Sequence, residues 1–330
     1  MADPQLRIVS VRQVFNDGRH NAFTDLCRFR DRYYLTFRSC PDGHGVFPTS
    51  RILVLSSDDA ETWEPALAFD VRYRDTRDPH FLVFKGSLFV YTGAWLCDPE
   101  APGQRDLNEH LGYCVWSADG ESWEGPQFLE GTYGHYIWRA AAHEGTAYIC
   151  GRRKREFAPR SVAGDDRKLI EGAMLESDDG LVWRTAALFT ESYGNETAFL
   201  FEPDGSILAI ARGAGPKPAR VCRSRAPYTD WTRTDLDRDI GGPLLAKWGE
   251  RYLVGGRKTI GGGPKTTLYW LLNDQLQEIA ELPSGGDNSY PGFVPLSDTR
   301  GLLSYYSSHE GSGTTEPPSA IYLAELRLQN

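Results

Sequence analysis

The sequence predicts an all-β protein, a six-bladed β-propeller made of four-stranded antiparallel blades. Two observations lead to this prediction. Short runs rich in Val, Ile, Phe, Tyr and Leu alternate with Gly, Asp, Pro and Ser turns along the whole chain, a pattern typical of many short strands. A turn motif also recurs twice at a spacing of 60 residues, which indicates stacked copies of one structural unit.

The recurring motif occupies Ser57–Trp63, Ser117–Trp123 and Ser177–Trp183, and we call these segments the Ser-Asp-Trp turns. Their Asp and Ser oxygens suit the capping of turn amides, and the Gly of the second and third copies tolerates a positive φ. We expect the Trp that ends each motif to hold the turn against its own sheet. A degenerate copy runs from Ser224 to Trp231, and the fifth blade has none.

The apolar runs place the strands of the first three blades. The first blade comprises Phe23 to Phe29, Tyr33 to Arg38, Arg51 to Ser56 and Pro65 to Phe69. The second comprises His80 to Phe84, Leu88 to Trp95, Leu111 to Ser117 and Pro126 to Leu129. The third comprises Tyr136 to Ala142, Ala147 to Arg152, Leu169 to Glu176 and Arg184 to Phe189. Helices are expected almost nowhere.

The remaining runs give two more blades and an incomplete sixth one. The fourth blade comprises Glu196 to Glu202, Ile207 to Arg212, Arg220 to Ser224 and Trp231 to Asp235. The fifth comprises Pro243 to Lys247, Tyr252 to Arg257, Thr267 to Leu272 and Gln277 to Leu282. The sixth offers Tyr290 to Leu296, Leu302 to Tyr306 and Ala320 to Leu328. We expect the segment Leu6 to Phe15 to supply its fourth strand and close the ring, so that residues 1–330 form a single domain.

Composition and charge exclude several classes of function. A net charge of -9 without a basic stripe argues against nucleic acid as a partner. No apolar run approaches the roughly 18 residues that a membrane helix needs, and the start of the chain resembles no secretory signal. We therefore expect a cytoplasmic protein, or a secreted one if a signal has been removed, with its six scattered cysteines reduced. The oligomeric state is left open.

Blade geometry predicts where a ligand would bind. The starts of the first strands and the ends of the second strands share one face of a propeller, whereas the Ser-Asp-Trp turns lie on the other. Several arginines and acids fall at those positions, and a guanidinium binds a carboxylate in a bidentate way. The predicted pocket is therefore suited to an anionic or polyhydroxylated ligand. Its candidate binding residues are Arg38, Arg212, Arg257, Asp78, His80, Trp95, His135 and Arg152. Within the basic run Arg152 to Arg155, only Arg152 is expected to reach the pocket.

The Ser-Asp-Trp turns resemble the Asp boxes, or BNR repeats, of the sialidase superfamily, whose fold is a six-bladed propeller. Asn195-Glu196, followed by Asp204-Gly205 and Arg212, is similar to the sialidase segment that carries a glutamate base and a triad arginine. Arg257 and Tyr290 fall where another triad arginine and the tyrosine nucleophile are expected. The resemblance spans essentially the whole chain.

The resemblance implies a retaining exo-glycoside hydrolase that acts on a terminal, acidic sugar of a glycan. Tyr290 would be the nucleophile and Glu196 the base that takes its proton, since a tyrosine hydroxyl is otherwise a poor nucleophile. Asp42 or Asp25 would be the acid/base group, and Arg38, Arg212 and Arg257 would hold the substrate. A tyrosine nucleophile suits an anomeric carbon that bears a carboxylate.

The sequence departs from the sialidase pattern in its first blade. Where sialidases read Phe-Arg-Ile-Pro, this chain reads Phe23-Thr24-Asp25-Leu26, so one arginine of the triad is missing and Asp25 is added. The substrate is therefore expected to differ from ordinary sialic acid.

Other interpretations of the same residues stay open. Glu196 can pair structurally with Arg212, Asp42 suits a plain turn, and His80 can be a packed core histidine. A polysaccharide lyase would use Tyr290, His80 or His135 to remove the proton beside an arginine-neutralised uronate carboxylate, and a non-catalytic carbohydrate-binding propeller would use none of them. No sequence motif indicates a metal or another cofactor.

Overall fold

The computed structural model describes residues 5–98, 100, 105–159, 165–259 and 261–329. It consists of six four-stranded antiparallel sheets, and the predicted fold class, an all-β propeller of six blades, is confirmed. The chain divides into two compact units. Unit 1 spans Met1–Gly45, Ile52–Ala68 and Ile240–Asn330, and unit 2 spans Val46–Arg51 and Phe69–Asp239.

Unit 1 contains the first, fifth and sixth blades. The first blade is formed by β2 (His20–Phe29), β3 (Arg32–Cys40), β4 (Arg51–Ser57) and β5 (Glu64–Phe69). The fifth is formed by β18 (Gly241–Trp248), β19 (Arg251–Lys258), β20 (Lys265–Leu272) and β21 (Gln275–Glu281). The sixth is formed by β22 (Asn288–Ser297), β23 (Arg300–Ser307), β24 (Ala320–Gln329) and β1 (Gln5–Phe15).

The sixth blade is completed by the first strand of the chain, as the sequence predicts. β1 pairs antiparallel with β24, from Gln5 opposite Gln329 to Phe15 opposite Ile321. This pairing covers the edge that β24 would otherwise expose. Unit 1 packs around a core that includes Trp248, Trp270 and Phe293, three aromatic side chains whose burial removes a large apolar area from water.

Unit 2 contains the second, third and fourth blades. The second is formed by β6 (Arg74–Phe84), β7 (Ser87–Leu96), β8 (Leu111–Ser117) and β9 (Glu124–Phe128). The third is formed by β10 (Tyr136–His143), β11 (Thr146–Lys154), β12 (Ile170–Ser177) and β13 (Arg184–Thr190). The fourth is formed by β14 (Thr197–Phe201), β15 (Ile207–Ala211), β16 (Arg220–Ser224) and β17 (Trp231–Asp235).

The helical segments that the structure describes are three short 3₁₀ turns, at Leu107–Glu109, Arg155–Phe157 and Asp166–Leu169. All three lie in unit 2, in the connections between the second and third strands of the second and third blades. Among the residues described, no helix is long and apolar enough to cross a membrane.

In five of the six blades the first strand breaks its pairing soon after it begins. Register shifts occur in β2, β6, β10, β18 and β22, whereas β14 pairs regularly with β15. At three of these bulges a residue other than glycine has a positive φ: Phe23, Asp78 and Tyr290. β2, β6 and β22 also begin earlier than the sequence predicts, so these residues lie inside their strands instead of at the start. A bulge redirects neighbouring side chains and is often found next to functional sites.

The Ser-Asp-Trp turns join the third and fourth strands of their blades, and their hydrogen bonds follow the predicted pattern. In the third copy, Asp179 Oδ1 accepts from the backbone N–H groups of Leu181 and Val182 at 2.8 and 2.9 Å. Ser177 Oγ donates to the same Asp179 oxygen at 3.0 Å and accepts from Gly180 N at 2.9 Å. Within each blade, antiparallel order places this turn at the end opposite the loop between the second and third strands.

The third Ser-Asp-Trp turn leaves no room for a side chain at Gly180. Its φ is +82°, and a Cβ there would lie 2.8 Å from the Tyr91 hydroxyl. Gly180→Ala should therefore lower the free energy of unfolding by about 1–3 kcal/mol. Gly86 has a similar φ of +79° but nothing within 4 Å of its Cβ position, so Gly86→Ala should cost only the backbone strain, about 1 kcal/mol. Thermal unfolding measures both, and equal losses would contradict the steric argument.

Candidate active site

A buried carboxylate organises the polar residues of unit 1. Asp287 directly precedes β22, and its side chain is 3% exposed. One carboxylate oxygen, Oδ2, accepts from His20 Nε2 at 2.8 Å and from His44 Nδ1 at 2.6 Å. The other, Oδ1, accepts from the Tyr306 hydroxyl at 2.9 Å and lies 3.3 Å from Arg257 Nη1. Two partners on each oxygen fill the acceptor capacity of a carboxylate. We call these five side chains the Asp287 hub.

Hydrogen bonding and burial fix the protonation states in the hub. Burial alone would favour neutral Asp287, but hydrogen bonds from His20 and His44 outweigh it and hold the pKa of this carboxyl well below its usual range. Burial lowers the pKa of His20, against the opposing effect of Asp287. Burial, together with Asp287, raises the pKa of Tyr306 well above its ordinary value. The hub therefore holds an ionised carboxylate, a neutral His20 and a protonated tyrosine at neutral pH.

The loop between β3 and β4 delivers His44 to the hub. Arg38 is fully buried at the end of β3, where its guanidinium donates to the Gly43 and Gly45 carbonyls at 3.0 and 2.9 Å. The backbone N–H of His44 donates to the Thr315 carbonyl at 3.0 Å. Arg38, predicted to bind substrate, thus shapes the loop that carries His44, which was not among the predicted site residues.

Tyr290 lies at the bulge of β22 with φ of 53°. Its ring packs against Phe23, with centroids 4.9 Å apart, and the Arg257 guanidinium carbon is 5.8 Å from the ring centroid. Gly242 permits this packing, because a Cβ on it would lie 2.6 Å from the Tyr290 ring. The Tyr290 carbonyl accepts from Thr24 Oγ1 at 2.7 Å, so Thr24, where the sialidase pattern has arginine, braces the strand of the predicted nucleophile.

The two acids predicted for unit 1 have different surroundings. Asp25 is buried in β2 at a close approach to β22, where a Cβ on Gly292 would lie 2.8 Å from Asp25 Cα. Asp42 is exposed in the turn after β3. Both remain candidates for the acid/base role.

Glu196 and Arg212 form an ion pair in unit 2. Glu196 precedes β14 and is buried, and its carboxylate accepts from Arg212 Nη1 at 2.8 Å. Arg212 Nε also donates to Asp239 at 3.3 Å. The β14–β15 hairpin brings Glu196 and Arg212 together, since Thr197 lies opposite Ala211. The predicted base and the predicted clamp therefore satisfy each other within this unit.

An aromatic cluster lies beside Glu196 in the same unit. Arg152 donates to the side-chain carbonyl of Asn195, and its guanidinium carbon lies 4.3 Å from the Tyr136 ring centroid. Trp95 packs against Tyr136 at 5.5 Å and edge-on against His110 at 4.9 Å. Of the predicted binding residues, Trp95 and Arg152 are thus brought together.

Three further predicted residues are buried in unit 2. His80 packs edge-on against Trp138, with centroids 4.8 Å apart, and Asp78 occupies the bulge of β6. His135 Nδ1 lies 3.0 Å from the Tyr133 carbonyl, and burial together with nearby Arg153 lowers the pKa of His135 to about 4. His135 is therefore neutral, and a poor proton acceptor, at physiological pH.

No sequence motif predicts the combination of His20, His44 and Asp287. Their donor atoms lie within 4.8 Å of one another, and imidazole with carboxylate is a set that zinc or iron would accept. However, Asp287 already accepts two partners on each oxygen, and each histidine nitrogen is at hydrogen-bond distance from the same atom. The geometry fits a hydrogen-bonded His-Asp-His relay better than a metal site.

Comparisons with known proteins support the fold. No protein-family model matches the sequence, and no curated protein matches it. Among solved structures, a Dyadobacter fermentans protein of unknown function has a TM-score of 0.83 and 22% identity, over 99% of this chain and 100% of that chain. The Trypanosoma rangeli sialidase, as a covalent intermediate with 2,3-difluorosialic acid, has a TM-score of 0.66 and 13% identity, over 93% and 54%. NanB sialidase from Streptococcus pneumoniae has a TM-score of 0.67 and 12% identity, over 100% and 71%.

These likenesses define a class of fold. The chain is a sialidase-like propeller, and it spans about half the length of the T. rangeli chain. At such identities the fold is what is shared.

Removal of the Asp287 carboxylate should be costly. Asp287→Ala leaves its buried donors without their acceptor, and we expect the free energy of unfolding at pH 7 to fall by about 3–5 kcal/mol. The folded-state pKa of Asp287 is the lowered one, so below about pH 4 the unfolded chain takes up the proton first and the native protein loses this contribution. The difference between native protein and variant should therefore shrink as the pH falls. Chemical denaturation across pH, with exposed Asp298→Ala as the control, measures it, and a difference independent of pH would contradict the assignment.

Proposed function

We propose that the protein is a sialidase-like glycoside hydrolase that removes a terminal acidic sugar from a glycan with retention. The observation that carries the proposal is the Asp287–His44 pair: a buried, ionised carboxylate orients a histidine whose side chain is 29% exposed. A carboxylate on Nδ1 fixes the tautomer of an imidazole and directs its other nitrogen at a substrate. The fold shared with two sialidases supports the substrate class.

His44 would serve as the acid/base group, in place of Asp42 two residues earlier. In the first step the oxygen of Tyr290 attacks the anomeric carbon and the glycosidic C–O bond breaks. The leaving oxygen takes a proton from His44. In the second step His44 deprotonates a water molecule, whose oxygen attacks the anomeric carbon; the bond to the Tyr290 oxygen breaks, and that oxygen recovers its proton from the base that accepted it. The resemblance to sialidases implies Glu196 as the acceptor of the Tyr290 proton, and that assignment stays a prediction.

A polysaccharide lyase is the second candidate, and the same pair favours it. A histidine held by a buried carboxylate is suited to removing the proton beside a uronate carboxylate. His44 is better placed for this than His80, which packs against Trp138, or His135, whose pKa is lowered to about 4. Lysis leaves an unsaturated uronate that absorbs in the ultraviolet, whereas hydrolysis does not.

A screen of nitrophenyl and methylumbelliferyl glycosides, including sialosides, uronides and pentosides, tests the proposal. Release of the chromophore, with a product of retained configuration by NMR, is the expected result. Ultraviolet-absorbing products from uronate polymers would contradict the hydrolase proposal and show that the protein is a lyase. Inactivity on all of these substrates, together with glycan binding, would favour a non-catalytic carbohydrate-binding propeller.

The catalytic roles predict how two variants behave. Tyr290→Phe should lower kcat by on the order of 10³-fold or more, and His44→Gln by roughly 10²–10⁴-fold. His44→Gln should also remove one limb of the pH profile of kcat. Tyr73→Phe and His143→Gln change residues of the same types outside the Asp287 hub and should leave kcat within about twofold.

The same activity assay distinguishes an acid/base role of His44 from a metal site or a purely structural role of the Asp287 hub. Activity should be insensitive to chelators, because hydrogen bonds already fill the coordination capacity of Asp287. If His44→Gln lowered stability and kcat together without altering the pH profile, His44 would be a structural member of the hub and not the acid/base group.

A further inference from the structure

Unit 2 contains a cleft lined by Lys154, a nearly buried lysine that donates no hydrogen bond. The cleft has a volume of about 390 Å³ and lies between loops at one end of the second, third and fourth blades. Its walls include Trp95, Leu107, Arg152, Lys154 and Ile170. Trp95 and Arg152 belong to the aromatic cluster beside Glu196, so part of the wall is rigid, apolar and flat.

Lys154, the last residue of β11, is held in this cleft without a hydrogen bond. Its side chain is 9% exposed, and the nearest carboxylate oxygens, on Asp106 and Asp166, are 3.7 and 4.0 Å from Nζ. Those distances are too long for hydrogen bonds, and no other described residue accepts one from Nζ. The ammonium therefore makes two long ion pairs and no hydrogen bond, and its N–H groups are able to donate to a ligand oxygen. Four cations, Arg105, Arg152, Lys154 and Arg167, line the cleft against one carboxylate, Asp166, and this excess of positive charge is suited to an anionic group.

The arginines predicted to bind a substrate carboxylate already have protein acceptors. Arg212 donates to Glu196 and Asp239, Arg257 to Asp287 and the Asn288 carbonyl, and Arg38 to two loop carbonyls. A ligand carboxylate would have to compete with these hydrogen bonds, whereas at Lys154 it would compete only with two ion pairs of 3.7 and 4.0 Å. This difference favours Lys154 as an anchor for a carboxylate.

A pair of exposed aromatic rings is connected to the wall of this cleft through the Leu107-Asn108 segment. Tyr133 and Phe157 are 47% and 53% exposed, and their rings stack with centroids 5.7 Å apart. Phe157 has a positive φ, and Asn108 holds its loop by donating to the Phe157 carbonyl at 3.1 Å. Leu107, the residue before Asn108, lines the cleft. A strained backbone that presents an apolar ring to solvent indicates a binding function, and aromatic faces suit the apolar faces of sugar rings.

We propose that this cleft is a binding site for an acidic glycan, with the carboxylate of one sugar at Lys154 and the neighbouring sugar on Phe157. The proposal deepens the proposed function by placing the recognition of the acidic sugar, and it rests on that function for the class of ligand. It differs from the sequence-based interpretation, in which Arg152 alone of the basic run reaches a ligand.

Binding measured without turnover tests the proposal. Isothermal titration with sialyllactose and trigalacturonate, each against its neutral counterpart, lactose and galactotriose, should use the Tyr290→Phe background so that no ligand is consumed. We expect at least one acidic glycan to bind roughly tenfold or more tightly than its neutral counterpart. Equal affinity for acidic and neutral glycans, or no binding of either acidic glycan, would overturn the proposal.

Variants of Lys154 locate the anion. Lys154→Met keeps the apolar stem and should reduce the affinity for the acidic glycan to that of the neutral one, whereas Lys154→Arg should retain most of it. Lys85→Met, at an exposed turn of the same unit, should change nothing. Phe157→Ala should weaken acidic and neutral glycans alike. Unchanged affinity in a Lys154→Met variant that unfolds at the native temperature would refute the role of Lys154.

The two proposals can fail separately. If Lys154→Met retains binding while the native protein hydrolyses glycosides, the proposed binding site is refuted and the proposed hydrolase activity is supported. If the acidic glycan binds through Lys154 but no glycoside is cleaved, the proposed hydrolase activity is refuted and the proposed binding site is supported.

Discussion

The first strand of most blades cannot remain a regular strand along its whole length, and the polar architecture depends on that constraint. In a regular strand successive side chains alternate between two faces. The bulges in β2, β6, β10, β18 and β22 interrupt this alternation and leave Phe23, Asp78 and Tyr290 with positive φ. Such a backbone costs free energy unless its surroundings hold it. Around Tyr290 the surroundings do so, through the Thr24 hydrogen bond and the contact that Gly242 permits.

Internal neutralisation of charge is the second organising feature. Asp287 is matched by Arg257 and by three neutral or titratable donors, and Glu196 and Asp239 are matched by Arg212. Groups that hold one another in place are preorganised for chemistry, since they need not reorient when charge develops on a substrate. The same pairing makes these arginines weaker attractors of an external carboxylate. Sites that bind anions and sites that catalyse are therefore expected to use different cations in this protein.

Local pattern was enough to predict the strands but not their interruptions. Leu111–Ser117, Arg220–Ser224 and Trp231–Asp235 have the predicted bounds, because apolar runs and turn residues mark both ends. The starts of β2, β6 and β22 were predicted several residues late, since their polar first residues are stabilised by tertiary contacts and not by hydrophobic alternation.

The same distinction applies to the candidate site. The Glu196–Arg212 pair was accessible from sequence, because one short hairpin joins the two residues. The Asp287 hub was not, since His20 and His44 are 267 and 243 residues away from Asp287 in the chain and no motif connects them. Lys154 could have been found: it lies two residues after Arg152 in β11, so strand periodicity places both on one face.

The chemistry open to the Asp287 hub follows from which of its donors can reach a substrate. Asp287 itself is saturated by hydrogen bonds and is shielded from solvent, so it acts only through a partner. Tyr306 is fully buried and its raised pKa keeps it protonated, and His20 is fully buried and held neutral. Arg257 is 17% exposed but does not release its proton at any physiological pH. Of the four donors, His44 alone combines exposure with a titratable nitrogen. Proton transfer driven by this carboxylate must therefore pass through His44, whether the bond that breaks is hydrolysed or eliminated.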